Sequence, residues 1–328
     1  MVTVPDPVPG PGDVVLKVHA TGLCNSDVRV YLGEKRAVPG VIPGHEITGE
    51  VVEAGQSAAV QAGQVVSLCP IVCCGYCSFC RAGFRNRCPS RKTLGYDLDG
   101  GIAEFVRVPA PLVTMGHLLP MDPATAAPRR ALVEPFACVL NSLEALNVRP
   151  GEPFAIVGGG PMGLMHLVAA RAYGAGPILV VEPEPERQAV AVQLGADGVA
   201  HPNEAEERGM ALTGGEGFPA VAVAVGFAAA IPTALALVRR LGSVNLFAGF
   251  PPHSSFELDL NRVHYDEIRL LGTQNAPLPL YERAAKMLPR LNDLDRIVTH
   301  HYRLEQAAEA YGARLGKQGL KSAVVITD

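Results

Sequence analysis

The chain has 328 residues, of which 48% are hydrophobic and 18% are charged, and its net charge at pH 7 is −4. This length and composition suit two globular domains and exclude a disordered chain or a strongly basic nucleic-acid-binding surface. The sequence shows no signal-peptide pattern and no apolar run long enough to span a bilayer, so we expect a cytoplasmic protein without a membrane partner.

Short valine-rich runs separated by Gly and Pro fill the first part of the chain. They are VVLKVHA at 14–20, HEITGEVVEAG at 45–55, QVVSLCP at 64–70 and AEFVRVPA at 103–110. Runs of this length, with turn residues between them, predict β-strands. We therefore expect a mostly-β domain over residues 1–131.

From residue 151 onward, apolar strands alternate with Gly-rich turns and Ala-rich helices. The predicted strands are PFAIVG (153–158), PILVVE (177–182), GVA (198–200), AVAVAV (220–225), SVNLFA (243–248) and IRLLG (268–272). The stretches between the first five, including AIPTALALVRRLG at 230–242, have helical patterns. This alternation predicts an α/β domain over 132–275, with a doubly wound sheet of six parallel strands. Residues 276–328 predict a helix at 279–291, a strand near 296–300, a helix at 304–315 and a closing strand.

Four cysteines follow one another closely in the segment CGYCSFCRAGFRNRC, namely Cys74, Cys77, Cys80 and Cys88. Four thiolates at this spacing can surround one zinc ion tetrahedrally, which leaves no open position and makes the ion structural. The alternatives are free surface thiols or an iron–sulfur cluster, although the spacing does not match the common ferredoxin patterns. Cys73 lies one residue outside the pattern, and we expect it not to bind.

A second set of potential metal ligands is dispersed along the first part of the chain. It consists of Cys24 in GLCNSD, His45 and Glu46 in PGHEITG, and Glu134 in LVEPFACVLN. Each is weak evidence alone, because a single Cys or His is more often simply packed in a core. One Cys, one His and a carboxylate would together leave a position open for water or substrate, as in a catalytic zinc site.

The segment PFAIVGGGPMGLMHLVAARAYGA combines a strand, a Gly-rich turn and a helix. Its turn matches GxGxxG and contains Gly158, Gly160, Pro161, Met162 and Gly163. Such a turn directs the helix N-terminus at a dinucleotide pyrophosphate. Glu182 ends the following strand, where a carboxylate binds the ribose 2′-hydroxyl and repels a 2′-phosphate, so we expect NAD rather than NADP. Arg187 either contacts a phosphate or is a solvated residue at the start of a helix.

The ordered motifs GLCNSD, PGHEITGEV, CGYCSFCRAGFRNRC, DGGIAEFVRVPA, VEPFACVLNSLEAL and IVGGGPMGL resemble the medium-chain zinc alcohol dehydrogenases nearly end to end. Within that family the chain is similar to the polyol and sugar branch, which includes sorbitol (iditol) and threonine dehydrogenases. The resemblance implies a GroES-like catalytic domain, a Rossmann domain and a C-terminal segment that returns to the catalytic domain. It also implies two zinc ions per chain, NAD, and a homodimer or homotetramer. Members usually begin before the strand at 14–20, so we expect their first β-hairpin to be absent.

By the same resemblance, Cys24 and His45 bind the catalytic zinc, and either Glu46 or Glu134 completes the ligand set. The zinc stabilises the substrate hydroxyl as an alkoxide, and hydride passes to the nicotinamide. Ser26 matches the hydroxyl that relays the proton outward. Arg29 stands where members often have the histidine that ends the relay, and arginine cannot act as a base at neutral pH. We therefore expect the proton to leave along water molecules past Glu134.

Gln274 and Asn275, in the segment GTQNAP, stand where sorbitol dehydrogenases have a charged residue and an aromatic residue. Neutral amides suit a hydroxyl-rich substrate, and a polar turn without a binding role is the alternative.

We therefore expect an enzyme that transfers hydride from a secondary alcohol of a polyol, sugar or (amino)cyclitol to NAD. One alternative is a threonine-type amino-alcohol dehydrogenase, and another is a non-catalytic scaffold that binds zinc and NAD. The presence of Cys24, His45 and Glu134 argues against a scaffold, which has no need of an open metal position.

Overall fold

A computed structural model describes residues 2–55 and 60–326. The chain divides into two compact units, one comprising Met1–Ala137 and Ala276–Asp328 and the other Cys138–Asn275. Within the described residues, no helix is both long and apolar enough to cross a membrane.

The first part of the chain forms short strands and short helices. The strands are β1 (Val14–Leu23), β2 (Glu46–Ala54), β3 (Val65–Leu68), β4 (Ile71–Val72), β5 (Lys92–Thr93), β6 (Phe105–Val108) and β7 (Leu118–Pro120). The helices are α1 (Asn25–Tyr31), α2 (Ser78–Arg81), α3 (Ala110–Thr114), α4 (Ala127–Arg130) and the longer α5 (Val133–Ala145), which was not predicted.

The second unit alternates strands and helices. Its strands are β8 (Phe154–Val157), β9 (Ile178–Val181), β10 (Gly198–Ala200), β11 (Phe218–Val223), β12 (Val238–Leu246) and β13 (Arg269–Gly272). Its helices are α6 (Pro161–Ala172), α7 (Pro185–Gln193), α8 (Ala205–Leu212), α9 (Ala230–Leu237) and α10 (Leu260–Tyr265). The chain then returns to the first unit with α11 (Leu278–Met287), β14 (Val298–Arg303), α12 (Ala307–Leu315) and β15 (Lys321–Val325).

The main sheet of the first unit brings distant parts of the sequence side by side. Its strand order is β14-β15-β1-β2-β3-β7, and β6 also pairs with β1. Antiparallel pairing places Gly22 of β1 opposite Glu46 of β2, and Leu23 of β1 opposite Ser322 of β15. The end of β1, the beginning of β2 and the beginning of β15 therefore meet at one place, and Cys24, His45 and Glu46 lie there.

The sheet of the second unit is parallel, with the order β10-β9-β8-β11-β12-β13. Numbered within the unit, this is 3-2-1-4-5-6, which places a topological switch point between β8 and β11, and ligands of doubly wound sheets bind at such points. The predicted architecture, a GroES-like mostly-β part plus a six-stranded Rossmann sheet, is confirmed.

One predicted element differs in extent. The helical pattern at 230–242 predicted one helix, but α9 ends at Leu237 and β12 begins at Val238. Val238 pairs with Phe218 of β11, and Leu241 has a φ of 62°. A residue in the left-handed region cannot continue a right-handed helix. Pairing with the neighbouring strand therefore outweighs the local helical propensity here.

Candidate metal and nucleotide sites

The first cluster consists of Cys24, His45 and Glu46. Cys24 follows β1 and stands at the N-cap of α1, whereas His45 and Glu46 lie where β2 begins. One ligand atom from each of the three residues lies within 4.8 Å of the other two. His45 and Glu46 are buried and Cys24 is half-buried. A soft thiolate, an imidazole and a carboxylate form a donor set that zinc binds readily, with room for a further ligand. These side chains therefore fit a zinc ion.

Asp27 contacts both His45 and the backbone of Cys24. One Asp27 oxygen accepts the backbone N–H of Cys24 at 2.9 Å, and Oδ1 lies 3.0 Å from His45 Nδ1. Burial alone would lower the pKa of His45, but the charge and hydrogen bond of Asp27 raise that pKa well above its ordinary value. With its Nδ1–H donated to Asp27, His45 leaves Nε2 as the atom that a metal ion would bind, in place of the proton there.

Ser26 and Tyr96 form a chain of hydroxyls next to the cluster. Ser26 Oγ donates to Cys24 Sγ at 3.2 Å and lies 2.6 Å from the Tyr96 hydroxyl, which is itself 3.0 Å from His45 Nδ1. Burial, together with the charges of Asp27 and Cys24, raises the pKa of Tyr96. The phenol therefore stays protonated and can relay a proton without ionising.

Lys321, at the beginning of β15, forms a buried ion pair with Glu46. The Lys321 ammonium lies 2.8 Å from Oε1 and 2.7 Å from Oε2 of Glu46, and both side chains are buried. Burial alone would lower the pKa of Lys321, but the Glu46 carboxylate raises it. A buried carboxylate with one cationic partner keeps lone pairs available for a metal ion.

Glu134, the alternative carboxylate, lies in the first turn of α5. It is buried, and its charge acts on Lys35, Cys69 and Tyr96. Among the described residues, the group of ligand atoms within 4.8 Å of one another contains Glu46 and not Glu134. The geometry therefore favours Glu46 as the third ligand in this conformation.

The second cluster consists of the four cysteines of the segment from β4 to β5. All four sulfur atoms lie within 4.8 Å of one another, and Cys74 Sγ is 3.9 Å from Cys80 Sγ. Four thiolates bound to zinc lie about 3.8 Å apart. Backbone N–H groups point at the sulfurs, and those of Cys77 and Tyr76 lower the pKa of Cys74 to about 6. This group also fits zinc and has no open position. Cys73 lies outside it, with its thiol directed at Met115 Sδ.

The Gly-rich turn follows β8 and leads into α6. Gly158 has a φ of 108°, and a Cβ on Gly163 would lie 1.8 Å from the Gly158 carbonyl oxygen, so both positions require glycine. No atom outside the immediate chain lies within 4 Å of a Cβ on Gly160, the residue at the N-cap of α6. Pro161 and Met162 form the first turn of α6. This open space at a helix N-terminus suits a pyrophosphate.

Glu182 follows β9 and is buried against the Gly-rich turn. Its Oε2 accepts the N–H of Gly159 at 2.7 Å, and its Oε1 accepts the N–H of Glu184 at 3.1 Å. Each oxygen retains a lone pair for a ribose hydroxyl. Arg187 is half-buried in the first turn of α7.

The other residues singled out in the sequence, Arg29, Gln274 and Asn275, belong to neither group of potential metal ligands. Arg29 forms an ion pair with Glu34, Nε to Oε2, at 3.4 Å. Gln274 and Asn275 lie in the turn after β13, where Asn275 has a φ of 52° and its carbonyl accepts the side-chain N–H of Asn141. Sequence reasoning did not identify Asp27, Tyr96 or Lys321. Of these, only Asp27 had a usable signal, its position three residues after Cys24.

Two family models match the chain, one described as alcohol dehydrogenase GroES-like domain over residues 10–117 and one as zinc-binding dehydrogenase over residues 161–292. The chain is 33% identical to L-threonine 3-dehydrogenase of Pyrococcus abyssi over 97% of this chain and 93% of that protein. It is 30% identical to sorbitol dehydrogenase of Bacillus subtilis, covering 94% and 88% of the two chains. It is equally similar, at 30%, to L-galactonate-5-dehydrogenase of Escherichia coli, covering 93% and 88%.

The fold is also similar to that of a solved structure from Sinorhizobium meliloti, described as a zinc-binding dehydrogenase bound to NADP. The TM-score is 0.91 at 28% identity, and the match covers 98% of this chain and 94% of the other.

Proposed function

This chain belongs to the zinc-dependent medium-chain alcohol dehydrogenase family, and we propose that it oxidises a secondary alcohol of a polyol, sugar or cyclitol with NAD. The observation that carries this proposal is the grouping of Cys24, His45 and Glu46, with Asp27 behind the histidine. A thiolate, an imidazole and a carboxylate with an open position are what a catalytic zinc site needs, and a purely structural site would be closed.

When bound, zinc supplies Lewis acidity to the substrate hydroxyl, and the nicotinamide supplies the hydride acceptor. Cys24, His45 and Glu46 would hold the metal, while Asp27 fixes the orientation of the imidazole. We assign Ser26 and Tyr96 to proton transfer, because their hydroxyls are 2.6 Å apart and Ser26 contacts Cys24. We propose this hydroxyl pair, rather than the water path past Glu134, as the first step of proton transfer, because the two hydroxyls already form a continuous chain from Cys24. Arg29 forms an ion pair with Glu34 and takes no part in it.

The Gly-rich turn and Glu182 would hold the dinucleotide, with the pyrophosphate at the N-terminus of α6. A buried carboxylate repels the 2′-phosphate of NADP and accepts a hydrogen bond from the 2′-hydroxyl of NAD. We therefore propose NAD as the cofactor, although the Sinorhizobium meliloti protein is bound to NADP. Gln274 and Asn275 stay candidate substrate residues.

The four cysteines that fit zinc must be reduced to bind it, so we propose the cytoplasm as the compartment. For the assembly we propose a homodimer or homotetramer, which sedimentation of the purified protein will test.

The function is tested with the zinc-loaded enzyme, NAD and a panel of polyols, cyclitols, aminocyclitols and L-threonine, with formation of NADH as the readout. Oxidation of polyols or cyclitols in preference to threonine supports the proposal. The similarity to L-threonine 3-dehydrogenase supports the second candidate, and preferential oxidation of L-threonine would establish it. Failure to oxidise any member of the panel would instead favour a non-catalytic scaffold.

A further inference from the structure

Lys35 lies in the loop after α1 and carries a positive charge next to the first metal-binding cluster. Its backbone N–H donates to the Arg29 carbonyl at 3.1 Å, which ties the loop to the helix. Its Nζ lies 3.6 Å from the centre of the Tyr96 ring, a cation–π contact. The hydroxyl of the same tyrosine is 3.0 Å from His45 Nδ1. The ammonium group is therefore one side chain away from the candidate zinc ligands.

The Lys35 ammonium has no carboxylate partner within ion-pair distance in the part of the chain that the structure describes. Burial lowers its pKa, against the opposing charges of Cys24, Asp27 and Glu134, of which Cys24 acts most strongly. Removing a cation from water without pairing it is unfavourable. Partly desolvated ionisable groups with shifted pKa values cluster at functional sites.

A cavity of about 730 Å³ opens beside Lys35 within the same unit. Its wall is mostly apolar, and the charged residues that line it are Asp27, Lys35 and Arg36. Asp27 is already engaged by His45 and by the backbone of Cys24. The charges of the wall that stay available to a ligand are therefore both positive, which suits an anion.

Further basic side chains lie near Lys35. Arg36 also lines a second cavity of about 590 Å³, together with Arg91, Lys92 and Asp97. Asp97 accepts the backbone N–H of Thr93 at 2.9 Å. Three basic side chains against one engaged carboxylate give the second cavity a positive potential, which concentrates anions near Arg36, a residue that lines both cavities.

We propose that Lys35 determines substrate specificity and that the substrate is a polyhydroxy alcohol carrying a carboxylate or a phosphate group, which the Lys35 ammonium binds. This inference rests on the proposed dehydrogenase function and narrows its substrate class. The anionic group takes no part in the redox step: the carbinol carbon loses a hydride to NAD, its hydroxyl loses a proton, and the anion only positions the molecule.

Three compounds with the same carbon skeleton separate charge from shape: sorbitol, gluconate and sorbitol 6-phosphate. Each is tested with the wild type, Lys35→Met and Lys35→Arg, and with Lys286→Met as a control. Lys286 is exposed on α11 and lines neither cavity, so its variant loses the same charge elsewhere. We expect the wild type to prefer one of the two anions, and which one identifies a sugar acid or a sugar phosphate.

In Lys35→Met, the ratio of kcat/KM for that anion to kcat/KM for sorbitol should fall about 10- to 100-fold, the effect of one charge-assisted hydrogen bond. Lys35→Arg keeps the charge and should retain most of the ratio, and Lys286→Met should leave it unchanged. Zinc content should be equal in all four proteins. An unchanged ratio in Lys35→Met, or loss of zinc from that variant, would overturn the inference.

A binding measurement makes the test independent of turnover. Gluconate and sorbitol 6-phosphate are titrated calorimetrically into the zinc-loaded enzyme holding NADH, which cannot accept a hydride. The wild type should bind one anion about 10- to 100-fold more tightly than Lys35→Met does. Equal binding by the two proteins overturns the role of Lys35, whereas inactivity toward every alcohol with this binding difference intact refutes only the dehydrogenase function.

Discussion

Asp27 Oδ1 lies 3.0 Å from His45 Nδ1, and both side chains are buried. Because the other Asp27 oxygen accepts the N–H of Cys24, one carboxylate fixes two of the three candidate zinc ligands. Partners of this kind typically change metal affinity or activity 10- to 100-fold when they are removed.

Asp27→Asn should therefore lower zinc affinity about 10- to 100-fold, because a neutral amide has only one acceptor oxygen for the two N–H groups and no charge to strengthen the His45 imidazole as a ligand. The measurement is zinc retained at the first site after dialysis against graded chelator. Asp99→Asn is the matched control, because Asp99 is exposed and accepts the N–H of Ile42, away from the candidate zinc ligands. Equal zinc retention by the two variants would show that Asp27 has no such role.

Tyr96→Phe should lower kcat roughly 10-fold or more while the protein keeps both zinc ions. The substitution retains the ring under Lys35 and removes the hydroxyl that lies 2.6 Å from Ser26 Oγ. A group that transfers protons contributes to the rate of the step and little to binding of the substrate. The readout is kcat against KM, with the solvent isotope effect. If kcat keeps its wild-type value, the proton leaves by another route.

Cys80→Ser should remove one zinc per chain and lower the thermal midpoint by roughly 5–10 °C, because the segment between β4 and β5 loses the ion that organises it. Cys73→Ser is the control, since Cys73 is equally buried but directs its thiol at Met115. Both quantities come from metal analysis and calorimetry of the two variants. Loss of the same zinc from Cys73→Ser would mean that the ligand set is assigned wrongly.

Glu182→Gln should weaken NAD binding about 10- to 100-fold and reduce the discrimination against NADP, because the charge that repels a 2′-phosphate is gone. Glu184→Gln changes the same charge at an exposed position two residues away. Dissociation constants for both cofactors can be obtained from fluorescence titration. Tighter binding of NADP than of NAD by the wild type would contradict the choice of cofactor.

The pH dependence of stability should carry a contribution from His166 in α6. This side chain is buried, with Nδ1 2.7 Å from the Met162 carbonyl oxygen, and burial lowers its pKa from 6.5 to about 4. The unfolded chain therefore binds a proton that the folded chain does not between these two values. The contribution of His166 to the free energy of unfolding is fully present above about pH 6.5 and is lost as the pH decreases toward 4. The full loss is about 3 kcal/mol.

Urea unfolding at pH 7 and pH 5 measures this contribution. His166→Leu should make the free energy of unfolding less dependent on pH over that interval, whereas the exposed His264→Leu should follow the wild type. A wild type equally stable at both pH values would contradict the prediction.

Several features of this protein are determined by the sequence alone, because each depends on a short window of residues. The alternation of apolar strands and Ala-rich helices after residue 151 predicts the parallel sheet. The GxGxxG turn with Glu182, and the close spacing of Cys74, Cys77, Cys80 and Cys88, likewise bring their functional groups together locally.

The candidate metal site of Cys24, His45 and Glu46 was decided only by the tertiary structure. Glu46 and Lys321 are 275 residues apart in sequence, and Ser26 and Tyr96 are 70 apart. No local pattern relates such residues. Glu46 and Lys321 meet because β1 pairs with both β2 and β15, so that the ends of three strands lie together. The pairing of β1 with β2 brings Glu46 close to Cys24, and in the second unit the pairing of β12 with β11 begins a strand where the sequence predicted a helix. Contacts between strands far apart in the chain supply the free energy for these choices, and a short window of sequence does not contain them.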